Sequence, residues 1–99
     1  MLDSYKKILS KRRIVPILLT LEIVEKLYNR NLDEVAYGMT ELYEILPYPK
    51  PTFSSFRNQI SALEAGECIL IYPSKEKASK KSVILSEDFR RQIELDVYG

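Results

Sequence analysis

The stretch PTFSSFRNQISALEAGECILIYPS, residues 51–74, decides the fold, because a helical pattern in it runs directly into a strand pattern. Apolar residues recur at spacings of three, four and three, which predicts a helix with one buried face: Phe53, Phe56, Ile60 and Leu63. Gly66 predicts the end of that helix. The segment CILIY at 68–72 is β-branched, aromatic and apolar, and therefore predicts a strand.

The opposite face of this predicted helix has an unusual composition for a surface. It carries Ser54, Ser55, Asn58 and Ser61, with Arg57 at its border. Serine and asparagine are poor helix formers, because their side chains compete for backbone hydrogen bonds. This face is therefore expected to serve something other than the stability of its own helix. Serine-rich surface helices without a ligand also occur, and that alternative stays open.

Working outward from this stretch, the chain predicts further helices and a hairpin. A short helix is expected at 2–12, a largely apolar central helix at about 15–29 with Pro16 in its first turn, and a third helix at about 32–46. Three prolines in PYPKP, residues 47–51, end the third helix. A lysine-bearing loop at 73–82 leads to a second strand at 83–85, and Ser86 caps a last helix at about 87–97. The predicted fold class is α+β, mostly α.

Length and composition favour a single small domain. The 99 residues are 45% hydrophobic, which suits one modest core. The sequence has no apolar run long enough to span a membrane and no signal peptide at its start, so a cytoplasmic protein with no membrane association is expected. The single cysteine, Cys68, agrees with a reducing compartment and is expected to be a buried strand residue rather than a redox switch.

Charge is unevenly distributed along the chain. The net charge is +4 over residues 1–14, −4 over 15–49, +3 over 50–82 and −2 over 83–99. Two basic blocks that flank an acidic one indicate one side that binds a polyanion and another that faces away. Unpatterned surface charge is the alternative.

Several function classes lack the residues that they require. The sequence has no histidine, which is the commonest general base and metal ligand, and one cysteine cannot build a cysteine-rich zinc site. The three glycines, Gly38, Gly66 and Gly99, lie too far apart to form a phosphate-binding loop. We therefore expect neither an enzyme nor a metal or other cofactor.

The segment SALEAGECILIYPSKEKASKKSVILSEDFRRQI, residues 61–93, resembles the end of the recognition helix, the wing and the following helix of MarR- and PadR-like transcription regulators. The matching positions are Leu63, Glu64, Gly66, Ile69, Leu85 and Ser86. The resemblance covers residues 15–95, but Cys68 stands where leucine is common, and the wing lacks the glycine and arginine of many relatives. It implies a winged helix-turn-helix with a three-helix core, a β-hairpin wing and flanking N- and C-terminal helices. The expected organisation is one domain over 1–99, with a basic N-terminal helix or arm at 1–14, the core at 15–85 and the C-terminal helix at 86–99.

The same resemblance implies sequence-specific binding of double-stranded DNA by a transcription regulator. The recognition helix, about 52–64, would enter the major groove, and the lysine-rich wing, 74–82, would lie on the backbone. Expected base contacts are Ser54, Ser55, Arg57, Asn58 and Ser61; expected backbone contacts are Lys50, Thr52, Lys75, Lys77, Lys80 and Lys81. Arg57 could instead pair with Glu64 or Glu41. The alternative function is a winged-helix adaptor between proteins in a transcription, replication or viral complex.

A homodimer is expected because related regulators usually bind palindromic sites as two-fold dimers. Both ends of the chain have apolar faces, and the expected interface residues are Leu2, Tyr5, Leu9, Phe89, Ile93 and Val97. The alternative is that the N-terminal segment packs on the core of its own chain. The composition, rich in Ile, Leu, Lys and Tyr and free of His and Trp, suits an archaeal or archaeal-viral source.

Overall fold

The computed structural model describes residues 2–31, 37–73 and 80–99, with only the backbone for Leu2 and Asn31. These ranges contain five helices and three strands. In chain order they are α1 (Leu2–Lys11), α2 (Leu18–Asn31), β1 (Tyr37–Gly38), α3 (Met39–Glu44), α4 (Phe53–Ala65), β2 (Ile69–Pro73), β3 (Lys81–Leu85) and α5 (Glu87–Asp96). The predicted fold class, mostly helical α+β, is confirmed.

The three strands form one antiparallel sheet in the order β1-β3-β2. β2 and β3 pair from Ile69 with Leu85 to Pro73 with Lys81, so each strand extends into the segment that the sequence predicted as loop. β1 was not predicted. Tyr37 pairs with Val83 inside the stretch expected to be helical at 32–46, of which residues 32–36 lie outside the described ranges. The backbone groups of Tyr37 and Gly38 therefore form hydrogen bonds with β3. In a longer α3 the same groups would have formed bonds within the helix.

One hydrophobic core joins the helices to the sheet. Its fully buried side chains come from every described helix and from two of the strands, and include Ile8, Leu9, Ile23, Leu27, Leu42, Phe56, Leu63, Ile69, Val83, Phe89 and Ile93. Burial of each large apolar side chain contributes about 1.5–3 kcal/mol relative to exposure. The core therefore holds α4 and the hairpin as one unit.

The start of α2 differs from the prediction. The helix begins at Leu18, so Pro16 precedes it instead of occupying its first turn. Val15 and Leu18 are 77% and 69% exposed, although both belong to the stretch that was predicted as a largely apolar central helix. Periodicity alone could not find this boundary, because apolar residues lie on both sides of Pro16, from Ile14 to Leu19.

Helix α1 packs on α5 and on α2 inside one chain. Tyr5, Leu9, Phe89 and Ile93, which were expected at a dimer interface, are at most 6% exposed and belong to the single core. A side chain without exposed surface has nothing to offer a second chain unless its helix separates, which corrects the expectation for these four residues. Val97 packs partly buried against the same core, and the side chain of Leu2 lies outside the described set. Homodimerisation itself stays a prediction.

Candidate nucleic-acid interface

Helix α4 is anchored to the core along one face and capped at its start. Phe56, Ile60 and Leu63 are buried, as their spacing predicted. The hydroxyl oxygen of Thr52 accepts a hydrogen bond from the backbone N–H of Ser55 at 3.1 Å, which is the N-cap geometry that serine and threonine favour. On the flank, Thr20 of α2 is fully buried and donates to the Gln59 side-chain oxygen at 2.6 Å.

The opposite face of α4 is open to solvent. Ser54, Ser55, Arg57, Asn58 and Ser61 are all exposed, as the sequence predicted. Within the described residues, Arg57 has no ion pair, and the Ser54, Asn58 and Ser61 side chains make no hydrogen bond. Ser55 differs, because its hydroxyl oxygen accepts from Thr52 at 3.0 Å. The structure therefore leaves four of the five predicted base-contacting side chains free to bind another molecule.

Within the described residues, Arg57 forms no ion pair with either of its two alternative partners, Glu41 and Glu64. Glu41 instead lies 3.6 Å from Arg30 in an ion pair. Glu64 is exposed and lies seven residues further along α4. The guanidinium of Arg57 therefore keeps its donors available.

The start of α4 is framed by three aromatic rings. Tyr43 and Phe53 pack edge to face with centroids 5.0 Å apart, and Phe56 lies 5.3 Å from Tyr43. The hydroxyl of Tyr43 donates to the backbone oxygen of Pro51 at 2.6 Å. Phe53 was predicted on the buried face of α4, but it is 42% exposed. Its ring lies at the outer side of this aromatic cluster, away from the core.

Two of the predicted backbone-contacting residues already have partners in their own chain. The ammonium of Lys50 donates to the backbone oxygen of Glu44 at 2.6 Å and lies 5.3 Å from the Tyr43 ring centre. The Thr52 hydroxyl is occupied by the cap. Both side chains shape the entry to α4, and a phosphate contact from either would compete with these bonds.

The remaining predicted cations are Lys75, Lys77, Lys80 and Lys81. Lys81 opens β3 opposite Pro73, and both Lys80 and Lys81 are exposed. Lys75 and Lys77 lie outside the described residues. The two described lysines are therefore placed at the end of the hairpin that leads into residues 74–79.

Arg12 supports the other end of α4, and sequence reasoning missed it. Its guanidinium donates to the backbone oxygens of Gly66 and Glu67, both at 3.2 Å. It also donates to the side chains of Gln92 at 3.1 Å and Asp88 at 2.7 Å. Arg12 contributes to the net positive charge of residues 1–14, but its side chain is only 15% exposed and is therefore not part of a basic surface.

Gly66 and Glu67 shape the turn from α4 to β2. Glu67, not Gly66, takes the left-handed conformation, with a φ of 60°. The backbone N–H of Cys68 donates to the Leu63 oxygen at 2.9 Å, and that of Glu67 donates to the Glu64 oxygen at 3.0 Å, which is a Schellman motif. Gly66 is needed for a different reason: a Cβ there would lie 2.7 Å from the Ile14 Cδ1 atom.

Cys68 contributes packing rather than reactivity. The side chain is fully buried just before β2, and burial raises the pKa of its thiol to about 11. The thiol is therefore protonated at neutral pH, which makes it a poor nucleophile. Among the described residues there is no cluster of metal-ligating side chains, and none of the helices is long and apolar enough to cross a membrane.

A comparison with solved structures gives one match across almost the whole chain. It is the crystal structure of a point mutant of MepR from a multidrug-resistant S. aureus clinical isolate, with a TM-score of 0.74 over 97% of this chain. The chain has the winged-helix fold. MepR is a MarR-family regulator, which agrees with the resemblance seen in residues 61–93. Sequence identity is 16%, and the chain spans 63% of the length of MepR, so the likeness concerns the fold. No protein-family model and no curated protein matches the sequence.

Proposed function

We propose that the protein binds double-stranded DNA in a sequence-specific manner and acts as a transcription regulator. The observation that carries this proposal is the open face of α4. Four polar side chains, Ser54, Arg57, Asn58 and Ser61, are exposed and free of described partners on a helix that is anchored at both ends. The function is one of binding, without catalysis.

The proposed contacts follow from the chemistry of these side chains. The major groove is about 12 Å wide and admits an α-helix. Asn58 can pair with adenine through two hydrogen bonds, and Arg57 can do the same with guanine. The short side chains of Ser54 and Ser61 let the helix backbone approach the bases closely. The wing lysines, of which Lys80 and Lys81 are described, would bind phosphates and fix the register.

We include homodimerisation in the proposal, because one winged helix contacts too little DNA for high specificity. A two-fold pair would place two copies of α4 about 34 Å apart, one turn of DNA. Light scattering at micromolar concentration should then report twice the 11.5 kDa of one chain. A monomer bound to a single half-site would remove this part of the proposal.

The decisive test is selection of bound duplexes from a random pool, followed by titration of the enriched site. Asn58→Ala and Arg57→Ala are each expected to cost about 1–3 kcal/mol in binding to the enriched site, with nonspecific binding nearly unchanged. When the base pair that a side chain contacts is replaced, the parent and the variant without that side chain should bind with equal affinity, because the contact is absent from both.

Matched controls come from exposed residues away from α4. Asn29→Ala on α2 and Arg91→Ala on α5 remove the same chemical groups and should leave specific binding unchanged. A pool without any enriched sequence would refute sequence-specific recognition. Equal losses in the α4 variants and the controls would refute the role of the α4 face.

A further inference from the structure

A groove lies beside β2, at the end of the strand that follows α4. Its volume is about 350 Å³. Ile69, Leu70 and Ile71 form its apolar wall, and Glu64, Glu67 and Asp88 supply carboxylates. The proposed DNA-binding function uses none of these six residues.

The outer edge of β2 has unused backbone hydrogen-bonding groups. In the described part of the chain, β2 pairs with β3 on one side and has no strand on the other. The Ser86 N–H donates to the Cys68 oxygen at 2.9 Å, so alternation along the ladder directs the N–H and C=O groups of Ile69 and Ile71 outward. Ile69 is buried, so the outward groups that a partner can reach are those of Ile71. A strand edge of this kind is a template for an added strand.

Side chains at this edge favour an apolar residue in the partner. Leu70 is 55% exposed on the face of the sheet that points away from the core. Pro73 has no N–H and ends the useful edge. The edge therefore fits a short extended segment that pairs with Ile71.

Charge decides which kind of segment fits. Asp88 is paired with Arg12 at 2.7 Å, whereas Glu64 and Glu67 have no ion pair among the described residues. The groove thus keeps two uncompensated carboxylates beside its apolar wall. A second copy of this chain would bring its own Glu64 and Glu67 to the same place, and like charges would oppose that pairing.

We propose that this groove binds an extended basic segment of a partner protein, with lysine or arginine alternating with apolar residues. The segment adds a strand to β2, its apolar side chain covers Leu70, and its cations lie against Glu64 and Glu67. Because no residue that lines the groove is among the proposed DNA contacts, the proposal does not depend on DNA binding.

The test uses a defined probe, the capped peptide Lys-Val-Lys-Val-Lys, titrated into the full chain and followed by amide NMR shifts. Shifts are expected at Ile69, Ile71 and the α4–β2 turn, and the matched Glu-Val-Glu-Val-Glu peptide should produce none. Reversing both groove charges with Glu64→Lys and Glu67→Lys should weaken the lysine peptide roughly tenfold and admit the glutamate peptide.

A backbone variant separates strand addition from charge attraction. Ile71→Pro removes an outward N–H without removing a bond of the β2–β3 ladder, so it should abolish binding. Ile71→Ala removes the same side chain, which packs against the core, but keeps that N–H, so it should still bind the lysine peptide. The proposal would be overturned if the lysine peptide shifted amides across the protein surface instead of at the groove. It would also be overturned if charge reversal left the binding of the lysine peptide unchanged. A parent that is a dimer and an Ile71→Pro variant that is a monomer would also overturn the proposal, because a second copy of the chain would be the occupant of the edge.

Discussion

Replacement of Arg12 by methionine should destabilise the fold far more than loss of a surface ion pair. Methionine keeps most of the apolar stem and removes the guanidinium. That group donates to the backbone oxygens of Gly66 and Glu67 and to the Gln92 side chain, and it lies 4.9 Å from the Phe89 ring centre. It therefore joins the end of α1 to the end of α4 and to α5.

The magnitude follows from the burial of these contacts. A hydrogen bond from a charged donor contributes about 1.5–3 kcal/mol, and an exposed one contributes less. The Asp88 side chain is 86% exposed, so its pair with Arg12 adds no more than about 1 kcal/mol. Allowing for partial exposure of the two backbone oxygens, we expect the Arg12→Met variant to lose about 2–4 kcal/mol of unfolding free energy.

Arg91 provides a matched control on α5. It forms an ion pair with Glu87 at 2.7 Å, the same distance as the pair between Arg12 and Asp88, but both side chains are 68% exposed. Arg91→Met should therefore cost at most about 0.5 kcal/mol. Urea unfolding measures both values, and thermal unfolding of Arg12→Met should shift down by at least about 8 °C for a domain of this size.

Equal stability of the Arg12→Met and Arg91→Met variants would refute this reasoning, because the two differ in burial and in the backbone contacts. Asp88→Asn offers a second check. If it cost as much as Arg12→Met, the exposed ion pair rather than the buried contacts would hold the helices together.

Three further predictions concern the turn after α4, the buried thiol and the wing. Gly66→Ala should cost about 1–3 kcal/mol in urea unfolding through overpacking, and adding Ile14→Val should recover part of that loss, because the nearest clash is with Ile14 Cδ1. The raised pKa of Cys68, about 11 against an ordinary 9.0, means that stability falls as pH rises above 9; between about pH 8.5 and 10 the loss is about 1 kcal/mol, and Cys68→Ala should remove it. Lys80→Ala and Lys81→Ala should each flatten the slope of log K against log salt by about 0.9, and an unchanged slope would take the wing out of the DNA contact.

Local patterns in the sequence predicted the parts of the structure that depend on neighbours along the chain. The buried side chains of α4 follow from a helical period, and Ser86 caps α5 as predicted, with its hydroxyl oxygen accepting from the Phe89 N–H at 3.2 Å. The open face of α4 follows from the same period. Each of these features lies within a few residues of the signal that predicts it.

The features that the sequence did not reveal depend on contacts between distant segments. β1 consists of Tyr37 and Gly38, and it forms because β3, far along the chain, has a free edge. The terminal apolar faces gave no sign of whether they would meet each other or a second chain. In the structure α1 packs on α5 of the same chain, and the hydroxyl oxygens of Tyr5 and of Tyr98, which follows α5, lie 2.9 Å apart.

The basic residues at the end of α1 carry the same charge but have different surroundings. Lys11, Arg12 and Arg13 are adjacent in the sequence and contribute equally to its net charge, but α1 ends here and the chain turns through Arg13, whose φ is 63°. The Arg12 guanidinium reaches the end of α4, 54 residues away at Gly66, whereas Lys11 and Arg13 are exposed. One cation thus stabilises the end of α4 from within, while its two neighbours remain on the surface. Its role is set by partners that are distant in the sequence, and a count of charge contains no information about them.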